Sequence, residues 1–294
     1  MIQDIYPLTL KNEYMPDAIP ENSDLVIAFS KEKEVLIQKG DELCFPSLEE
    51  YEKIVCDSSV RGSSETERQM EKLIYLFKIG EKRFFLRIIS REDVCDGDSP
   101  FEWVPLTDIR ARRLGPKELR YAYYTAKHLY DWYETTQFCG KCGGRMEHSK
   151  TERAMKCTSC GYTAYPRIMP AVIVGVKNND KLLLTKYRVG FRENALVAGF
   201  VEIGETLEET VAREVMEEAG LRVKNITYYK SQPWGMANDI LTGFYCEVDG
   251  DDTIHMDSVE LKYAEWVKRE DIVLQSMDDS LTNEMMKVFK EGKE

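Results

Sequence analysis

The fold of this chain depends on the stretch Gly199-Phe-Val-Glu-Ile-Gly-Glu205-Thr-Leu-Glu-Glu-Thr-Val-Ala-Arg213-Glu214-Val-Met-Glu217-Glu218-Ala-Gly220-Leu221. Thr206 and Glu209 have the spacing of a capping box, in which each side chain accepts a hydrogen bond from the other residue's backbone N–H. A helix is therefore predicted to begin after Thr206. Gly220 is placed to end this helix, because glycine readily adopts the left-handed backbone of a helix C-terminus.

The predicted helix carries three carboxylates on one side. Glu214, Glu217 and Glu218 lie at positions i, i+3 and i+4, which share a helix face. These like charges repel one another, which destabilises the helix. Bound hard cations would offset this repulsion, since Mg²⁺ and Mn²⁺ prefer carboxylate oxygens. Arg213 lies beside this face and can pair with Glu205 of the preceding turn. A solvated acidic surface is the simpler alternative, but the flanking glycines and the preceding apolar strand favour a metal site.

Composition and charge narrow the class of protein. A length of 294 residues predicts two or three domains, and 43% apolar content is that of a globular protein. A formal charge of −12 argues against broad electrostatic binding of nucleic acid. The sequence contains no run of about 18 apolar residues, and its first residues lack the basic and apolar segments of a signal peptide. We therefore expect a cytoplasmic protein without a membrane partner.

Four of the eight cysteines form two CxxC pairs, with fourteen residues between the pairs. This spacing predicts a tetrahedral zinc site with Cys139, Cys142, Cys157 and Cys160 as ligands. Four protein sulfurs leave no open position, so the zinc is expected to be structural. Two disulfides and redox CxxC chemistry are the alternatives. The other cysteines are expected to be buried structural thiols: Cys44, Cys56, Cys95 and Cys246.

Most of the remaining chain is predicted to form short strands. Residues 116–136 are predicted to form a helix whose aromatic stripe packs in a core, and residues 281–291 a final helix. Residues 178–180 have the composition of a hairpin turn. Strands are predicted at 24–30, 34–38, 82–89, 101–106, 171–176, 181–185, 195–201, 226–231, 240–248 and 264–267, and a short helix at 47–55.

The residues of the opening stretch match a family pattern. They resemble the Nudix box, Gx5Ex7REUxEExGU, where U is aliphatic. The matching residues are Gly199, Glu205, Arg213, Glu214, Val215, Glu217, Glu218, Gly220 and Leu221. The resemblance implies an α/β/α sandwich that hydrolyses a nucleoside diphosphate linked to another group, using Mg²⁺ or Mn²⁺. It also implies that Glu214 and Glu218 bind metal and that Glu217 is a further ligand or the general base.

The order of the motifs resembles the NADH pyrophosphatase branch of this family. That resemblance implies cleavage of NAD(H) to NMN(H) and AMP, removal of NAD caps from RNA in some members, and a homodimer. It implies a substrate contact from Tyr165, a metal contact from the backbone carbonyl of Ala198, and a further metal ligand in Glu260. A substrate-binding array begins at Gln232, Pro233 and Trp234. Packing or surface roles are the simpler alternatives for Tyr165, Trp234 and Glu260.

The substrate array departs from the family pattern Ser-Gln-Pro-Trp-Pro-Phe-Pro-x-Ser. Gly235, Met236, Ala237 and Asp239 stand where that pattern has proline, phenylalanine, proline and serine. Met236 and Asp239 are therefore predicted to contact substrate through a thioether and a carboxylate, in place of the aromatic ring and hydroxyl of the family pattern. Two alternatives to an NAD(H) diphosphatase stay open: a Nudix hydrolase of ADP-ribose or another dinucleotide, and a non-catalytic nucleotide- or RNA-sensing protein.

The sequence as a whole predicts an α+β protein of three parts. Residues 1–136 are predicted to form a mixed α/β scaffold or dimerisation domain that ends in a helix. Residues 137–165 are predicted to form the four-cysteine zinc ribbon. Residues 166–294 are predicted to form the Nudix sandwich.

Overall fold

The computed structural model describes residues 1–40, 43–55, 73–94, 99–112, 115–190 and 192–294. Contacts divide the chain into two compact units. One unit is Ile5–Arg167, and the other joins Met1–Asp4 to Ile168–Glu294. The predicted scaffold and zinc ribbon therefore lie in one unit, and the first four residues belong with the predicted Nudix domain.

The Ile5–Arg167 unit contains a six-stranded sheet in the order β1-β4-β5-β2-β3-β6 and a three-stranded sheet in the order β7-β8-β9. Strands β2 and β5 are parallel, and the other neighbours are antiparallel. The strands are β1 (Leu10–Lys11), β2 (Leu25–Ser30), β3 (Glu34–Gln38), β4 (Ile74–Ile79), β5 (Lys82–Ile89), β6 (Phe101–Pro105), β7 (Met146–His148), β8 (Met155–Cys157) and β9 (Thr163–Ala164). The helices are α1 (Leu48–Ile54), α2 (Leu106–Arg112) and α3 (Lys117–Thr135), with a 3₁₀ turn at Arg91–Asp93.

Helix α3 packs through the aromatic stripe that the sequence predicted. The ring of Tyr130 stacks on Phe29 at a centroid distance of 4.6 Å, and its hydroxyl donates to the backbone carbonyl of Ser30 over 3.0 Å. Tyr123 is fully buried beside them. The stripe is therefore core packing, as predicted. Helix α2 was missed, because residues 101–106 were predicted to be one strand, whereas the strand ends at Pro105 and the helix begins at the next residue.

The second unit contains a sheet in the order β13-β14-β10-β11-β15, with β12 paired to β10. Strands β10 and β14 are parallel, and the other pairs are antiparallel. The strands are β10 (Met169–Asn178), β11 (Lys181–Tyr187), β12 (Val197–Phe200), β13 (Val223–Trp234), β14 (Asp239–Val248) and β15 (Leu261–Lys268). The helices are α4 (Leu207–Ala219) and α5 (Leu281–Lys290), with a 3₁₀ turn at Arg269–Asp271.

This sheet lies between two helices because side chains alternate along its strands. On β10, Ile173 belongs to a buried cluster with Met285 of α5. Its neighbour Val174 belongs to a separate buried cluster with Val215 of α4. The predicted α/β/α sandwich is therefore confirmed, and α4 is the helix of the opening stretch.

Several local predictions can also be compared with the structure. Asn179 has a φ of 55° at the turn between β10 and β11, as its hairpin position requires. Cys246 is buried and Cys44 is half-buried, whereas Cys56 and Cys95 lie outside the described residues. Within the described ranges, no helix has both the length and the apolar character needed to cross a membrane.

Candidate active site and zinc centre

The four predicted zinc ligands lie together beside strands β7–β9. Their sulfur atoms are all within 4.8 Å of one another. Cys139 Sγ lies 3.7 Å from Cys160 Sγ, and Cys142 Sγ lies 3.5 Å from Cys157 Sγ. Tetrahedral zinc with bonds of about 2.3 Å places sulfurs ~3.8 Å apart, whereas a disulfide bond is ~2.05 Å long. The donor set therefore fits structural zinc, and the disulfide alternative does not fit.

The backbone around the cysteines is arranged to receive thiolates. Each CxxC pair forms a tight turn, here called a knuckle. In the knuckle at 157–160 the N–H of Cys160 donates to Cys157 Sγ over 3.4 Å. In the knuckle at 139–142 the N–H of Lys141 donates to Cys139 Sγ over 3.4 Å. Gly143 and Gly161 follow the knuckles with φ of 74° and 72°, a conformation that favours glycine. Each knuckle thus turns tightly while directing N–H groups at sulfur.

Helix α4 begins and ends as the sequence predicted. Thr206 caps it and accepts from the N–H of Glu209, whose carboxylate accepts from the N–H of Thr206. Gly220 ends it in the left-handed conformation, with a φ of 69°. The helix is therefore fixed at both ends, which sets the direction in which its carboxylates project.

Arg213 connects this helix to the turn before it. Its guanidinium donates to both oxygens of Glu205, over 2.6 and 2.9 Å, and to the carbonyl of Phe200 over 2.9 Å. It also donates to Glu214 over 2.7 Å and to Glu217 over 3.0 Å. These hydrogen bonds from Arg213 lower the pKa of Glu205 to about 2. One cation therefore organises three of the predicted site carboxylates.

Glu218 is buried, and none of the hydrogen bonds described for Arg213 reaches it. It is 4% exposed, and its Oε2 has no hydrogen-bond partner among the described residues. Burial raises the pKa of Glu218 to about 8, and the charges of Glu214, Glu260 and Asp257 act in the same direction. A backbone hydrogen bond from Ala198 opposes this shift. The fold therefore brings Glu260 and the Ala198 backbone close to Glu218, while their predicted contacts with metal stay predictions.

Gly199 leaves room for one of these carboxylates. A Cβ placed on Gly199 would lie 1.9 Å from Cδ and 2.0 Å from Oε1 of Glu214, so the carboxylate occupies the space that a side chain would take. Burial raises the pKa of Glu214, and its ion pair with Arg213 opposes the shift. A group of like charges, of which Glu218 is buried and has one unpartnered oxygen, fits a divalent cation, whose charge would offset the repulsion.

The substrate array lies at the turn between β13 and β14. Trp234 and Met236 are half-buried, Pro233 is exposed, and Trp234 pairs with Asp239 across the turn. Asp239 is 5% exposed, and burial raises its pKa to about 7. Its Oδ1 has no hydrogen-bond partner in the part of the chain that the structure describes. The aspartate that replaces the family's serine is therefore a buried carboxyl, and burial favours its protonated form.

The placement of Gln232 differs from the prediction that it contacts substrate. Its side chain is fully buried. Its amide nitrogen donates to the carbonyl of Asp279 over 2.6 Å and to Gln3 over 3.2 Å, and its oxygen accepts from the N–H of Leu281 over 2.6 Å. These bonds satisfy the amide internally, so in this structure Gln232 links the N-terminus to the start of α5.

Three further side chains complete the description of the site: one that the sequence predicted and two that it did not. Tyr165 lies in the Ile5–Arg167 unit, is 57% exposed and donates to Glu152 over 3.2 Å. Its substrate role stays a prediction. Asp257 and Tyr187 were missed by sequence reasoning, yet both interact electrostatically with Glu218. No spacing signal marks either residue, because Tyr187 is placed by strand pairing and Asp257 by a hydrogen bond from its N–H to the Glu218 carbonyl over 2.9 Å.

The chain matches two protein-family models. Residues 167–289 match the NUDIX domain, and residues 134–165 match the NADH pyrophosphatase zinc ribbon domain. Proteins called NAD-capped RNA hydrolase NudC are similar over 149 residues, with 45% identity in Shigella flexneri and 44% in Escherichia coli O9:H4 (strain HS). These matches cover 50% of this chain and 57% of each relative, so the chain spans little more than half their length.

A solved NUDIX hydrolase from Nitrosomonas europaea is also similar, with 22% identity and a TM-score of 0.47 over 53% of this chain and 92% of that one. The two family models are adjacent in the chain, and the NUDIX model includes the complete box, Gly199–Leu221. Residues 167–289 of the chain therefore match a Nudix domain, which directly follows an NADH pyrophosphatase zinc ribbon domain at residues 134–165.

Proposed function

We propose that this chain is a metal-dependent pyrophosphohydrolase that cleaves NAD(H) to NMN(H) and AMP. The observation that carries the proposal is the cluster on α4, in which Arg213 holds three carboxylates while Glu218 remains buried beside them. The match to the NADH pyrophosphatase zinc ribbon supports the choice of substrate. The similarity to proteins called NAD-capped RNA hydrolase NudC supports NAD-capped RNA as a second substrate.

The chemistry follows from the donor set. Mg²⁺ or Mn²⁺ held by Glu214 and Glu218, with Glu217, Glu260 and the Ala198 carbonyl as further candidate ligands, would neutralise phosphate charge and acidify an attacking water. Arg213 orients Glu214 and Glu217 by direct hydrogen bonds. The side chain of Glu217 is 59% exposed, so its carboxylate is accessible to water and could, as the general base, accept the proton that the attacking water loses.

Substrate choice is proposed to depend on residues outside α4. Pro233, Trp234 and Met236 offer ring or thioether surfaces to a base, and Asp239 offers a carboxyl. The substrate contact of Tyr165 is proposed separately, from the family resemblance alone. The second candidate function is hydrolysis of ADP-ribose or another dinucleotide. It is favoured by the turn at residues 235–238, which lacks the aromatic side chain of the family pattern. A non-catalytic nucleotide- or RNA-sensing role is the third candidate.

A substrate panel separates these functions. Purified protein is incubated with Mg²⁺ or Mn²⁺ and, separately, NADH, NAD⁺, ADP-ribose and an RNA with a 5′ NAD cap. NADH or NAD⁺ is expected to give the highest kcat/KM, and Glu218→Gln is expected to remove turnover. Faster hydrolysis of ADP-ribose would favour the second function, and equal, background-level signals from both proteins would favour the third.

Two further properties are proposed from the family resemblance alone. We propose that the chain forms a homodimer and works in the cytoplasm. Light scattering after size-exclusion chromatography tests the first, with a mass near twice 34.1 kDa expected. Fractionation of cells that express the tagged chain tests the second.

A further inference from the structure

The first residues of the chain pack in the same compact unit as the matched Nudix domain. Met1–Asp4 join Ile168–Glu294 in that unit. The Met1 side chain is buried in the cluster that contains Met285 of α5, and Trp234 packs against the same cluster. Met1 and Trp234, the residue that begins the substrate turn at 234–239, therefore share the face of the sheet that α5 covers.

The side chain of Gln3 is bonded to two consecutive residues near the end of β13. Its Nε2 donates to the backbone carbonyl of Ser231 over 3.1 Å, and its Oε1 accepts from Nε2 of Gln232 over 3.2 Å. Trp234 follows Gln232 by two residues and lies on the same face of the strand. One amide of the N-terminal segment therefore holds β13 immediately before the substrate turn.

The position of β13 in the sheet explains why such support matters. Among the strands that the structure describes, β13 lies at one edge, with β14 as its neighbour. Its pairing with β14 is irregular at two places, within residues 224–227 and 228–230. Because an edge strand is supported by a neighbouring strand on one side only, the position of its end depends on other contacts. The two hydrogen bonds of Gln3 are contacts of this kind.

The N-terminal segment also connects this strand to the residues before α5. The N–H of Ile2 donates to the carbonyl of Asp279 over 2.8 Å, and Gln232 donates to the same carbonyl over 2.6 Å. Asp279 is buried two residues before α5 begins. A substitution at Gln3 removes neither of these two bonds. Its effect on β13 can therefore be separated from an effect on α5.

We propose that Gln3 is a positioning residue for substrate, which fixes Ser231 and Gln232 and thereby the orientation of Trp234 toward a base of the dinucleotide. The inference rests on the proposed function, since it concerns the same substrate turn. A contact to a base is remote from the reacting phosphorus, so it stabilises bound substrate and transition state equally. Loss of such a contact raises KM and leaves kcat unchanged.

The kinetic test compares wild type with Gln3→Met and Gln3→Ala in the hydrolysis of NADH. Neither new side chain can donate to Ser231, and in both variants KM is expected to rise about 5-fold while kcat stays within about twofold. Thr227→Val is the matched control, because it removes a side-chain hydrogen bond to a backbone carbonyl seven residues before Trp234 on the same strand. Unchanged KM in both Gln3 variants, a fall in kcat as large as the rise in KM, or an equal rise in Thr227→Val would overturn the proposal.

Hydrogen–deuterium exchange tests the positioning without catalysis. The amides of residues 234–239 are expected to exchange faster in Gln3→Met than in wild type, whereas those of α4 are expected to keep their wild-type rates. Equal rates at the turn would overturn the proposal, and so would faster exchange in α4, since Gln3 would then stabilise the whole unit. If the wild type hydrolyses no dinucleotide, the proposed function fails, while exchange at the turn still decides whether Gln3 fixes it.

Discussion

Arg213 and Glu205 are joined by two parallel hydrogen bonds, from Nε to Oε1 over 2.6 Å and from Nη2 to Oε2 over 2.9 Å. This bidentate pair ties the glycine-containing turn to the middle of α4. The remaining guanidinium nitrogen, Nη1, bonds to Glu214 and Glu217. Because one planar cation fixes three carboxylates, a change at Arg213 is expected to disturb the whole site.

Replacing Arg213 with lysine is expected to reduce kcat/KM about 10- to 100-fold. Lysine keeps the charge but cannot form the planar two-point contact with Glu205 while also bonding to Glu214. Steady-state hydrolysis of NADH measures the effect. Arg269→Lys is the matched control, since Arg269 forms a similar two-point pair with Glu294 outside the site. Equal losses in both variants would mean that the Arg213 pair is only structural.

Gly199→Ala is expected to displace the Glu214 carboxylate and to weaken Mn²⁺ binding. The added methyl group would meet Glu214 at 1.9 Å, and the flexible side chain can move aside more easily than the backbone. The expected result is a loss of affinity with nearly unchanged thermal unfolding. Gly140→Ala provides the control, because a Cβ there has no described atom within 4 Å. Wild-type Mn²⁺ affinity in Gly199→Ala would contradict the inference that Gly199 leaves the space in which the Glu214 carboxylate binds metal.

Asp239 predicts a pH dependence of stability. Its pKa is about 7 in the folded chain and about 4 when unfolded, so the folded state binds the extra proton between these values. The contribution of Asp239 to the free energy of unfolding therefore falls as pH rises from about 4 to 7, by up to about 4 kcal/mol. Asp239→Asn is expected to flatten this slope and to be more stable than wild type at about pH 8.

Denaturant unfolding at several pH values, without added Mg²⁺ or Mn²⁺, measures the slope. Asp271→Asn is the control, because it removes the same charge from an exposed position. An identical slope in wild type and Asp239→Asn would show that the buried carboxyl does not take up a proton on folding.

Zinc content tests the ribbon. Wild-type protein is expected to contain about one zinc per chain, and Cys157→Ser is expected to lose it and to unfold at a lower temperature. Elemental analysis after extensive dialysis measures the metal. Cys44→Ser should keep its zinc, because Cys44 lies outside the four-cysteine group. Zinc retained in Cys157→Ser would contradict the assigned ligand set.

The sequence predicted those features that depend on neighbours in the chain. The limits of α4 follow from the Thr206 capping box and from Gly220, and the zinc ligands follow from CxxC spacing. The ion pair of Arg213 with Glu205 also follows from short-range spacing, although its further bonds to Glu214 and Glu217 were not predicted.

Features that depend on strand pairing could not be predicted in the same way. Tyr187 lies near Glu260 because β11 and β15 pair in one register, and Asp257 lies near Glu218 because its N–H donates to the Glu218 carbonyl over 2.9 Å. Gln232 was assigned to substrate because its motif suggested a binding loop. Its burial depends on Asp279 and Leu281, about fifty residues away, which no local pattern indicates.

The central claim is that the carboxylates of α4 support metal-dependent cleavage of the NADH pyrophosphate. The most direct measurement is identification by mass spectrometry of the products formed from NADH with Mg²⁺ or Mn²⁺. Wild type and the exposed-site control Glu208→Gln are expected to yield NMNH and AMP, whereas Glu218→Gln is expected to be slower by about 100-fold or more. Unchanged NADH with wild type, products other than NMNH and AMP, or equal rates in Glu218→Gln and wild type would contradict the claim.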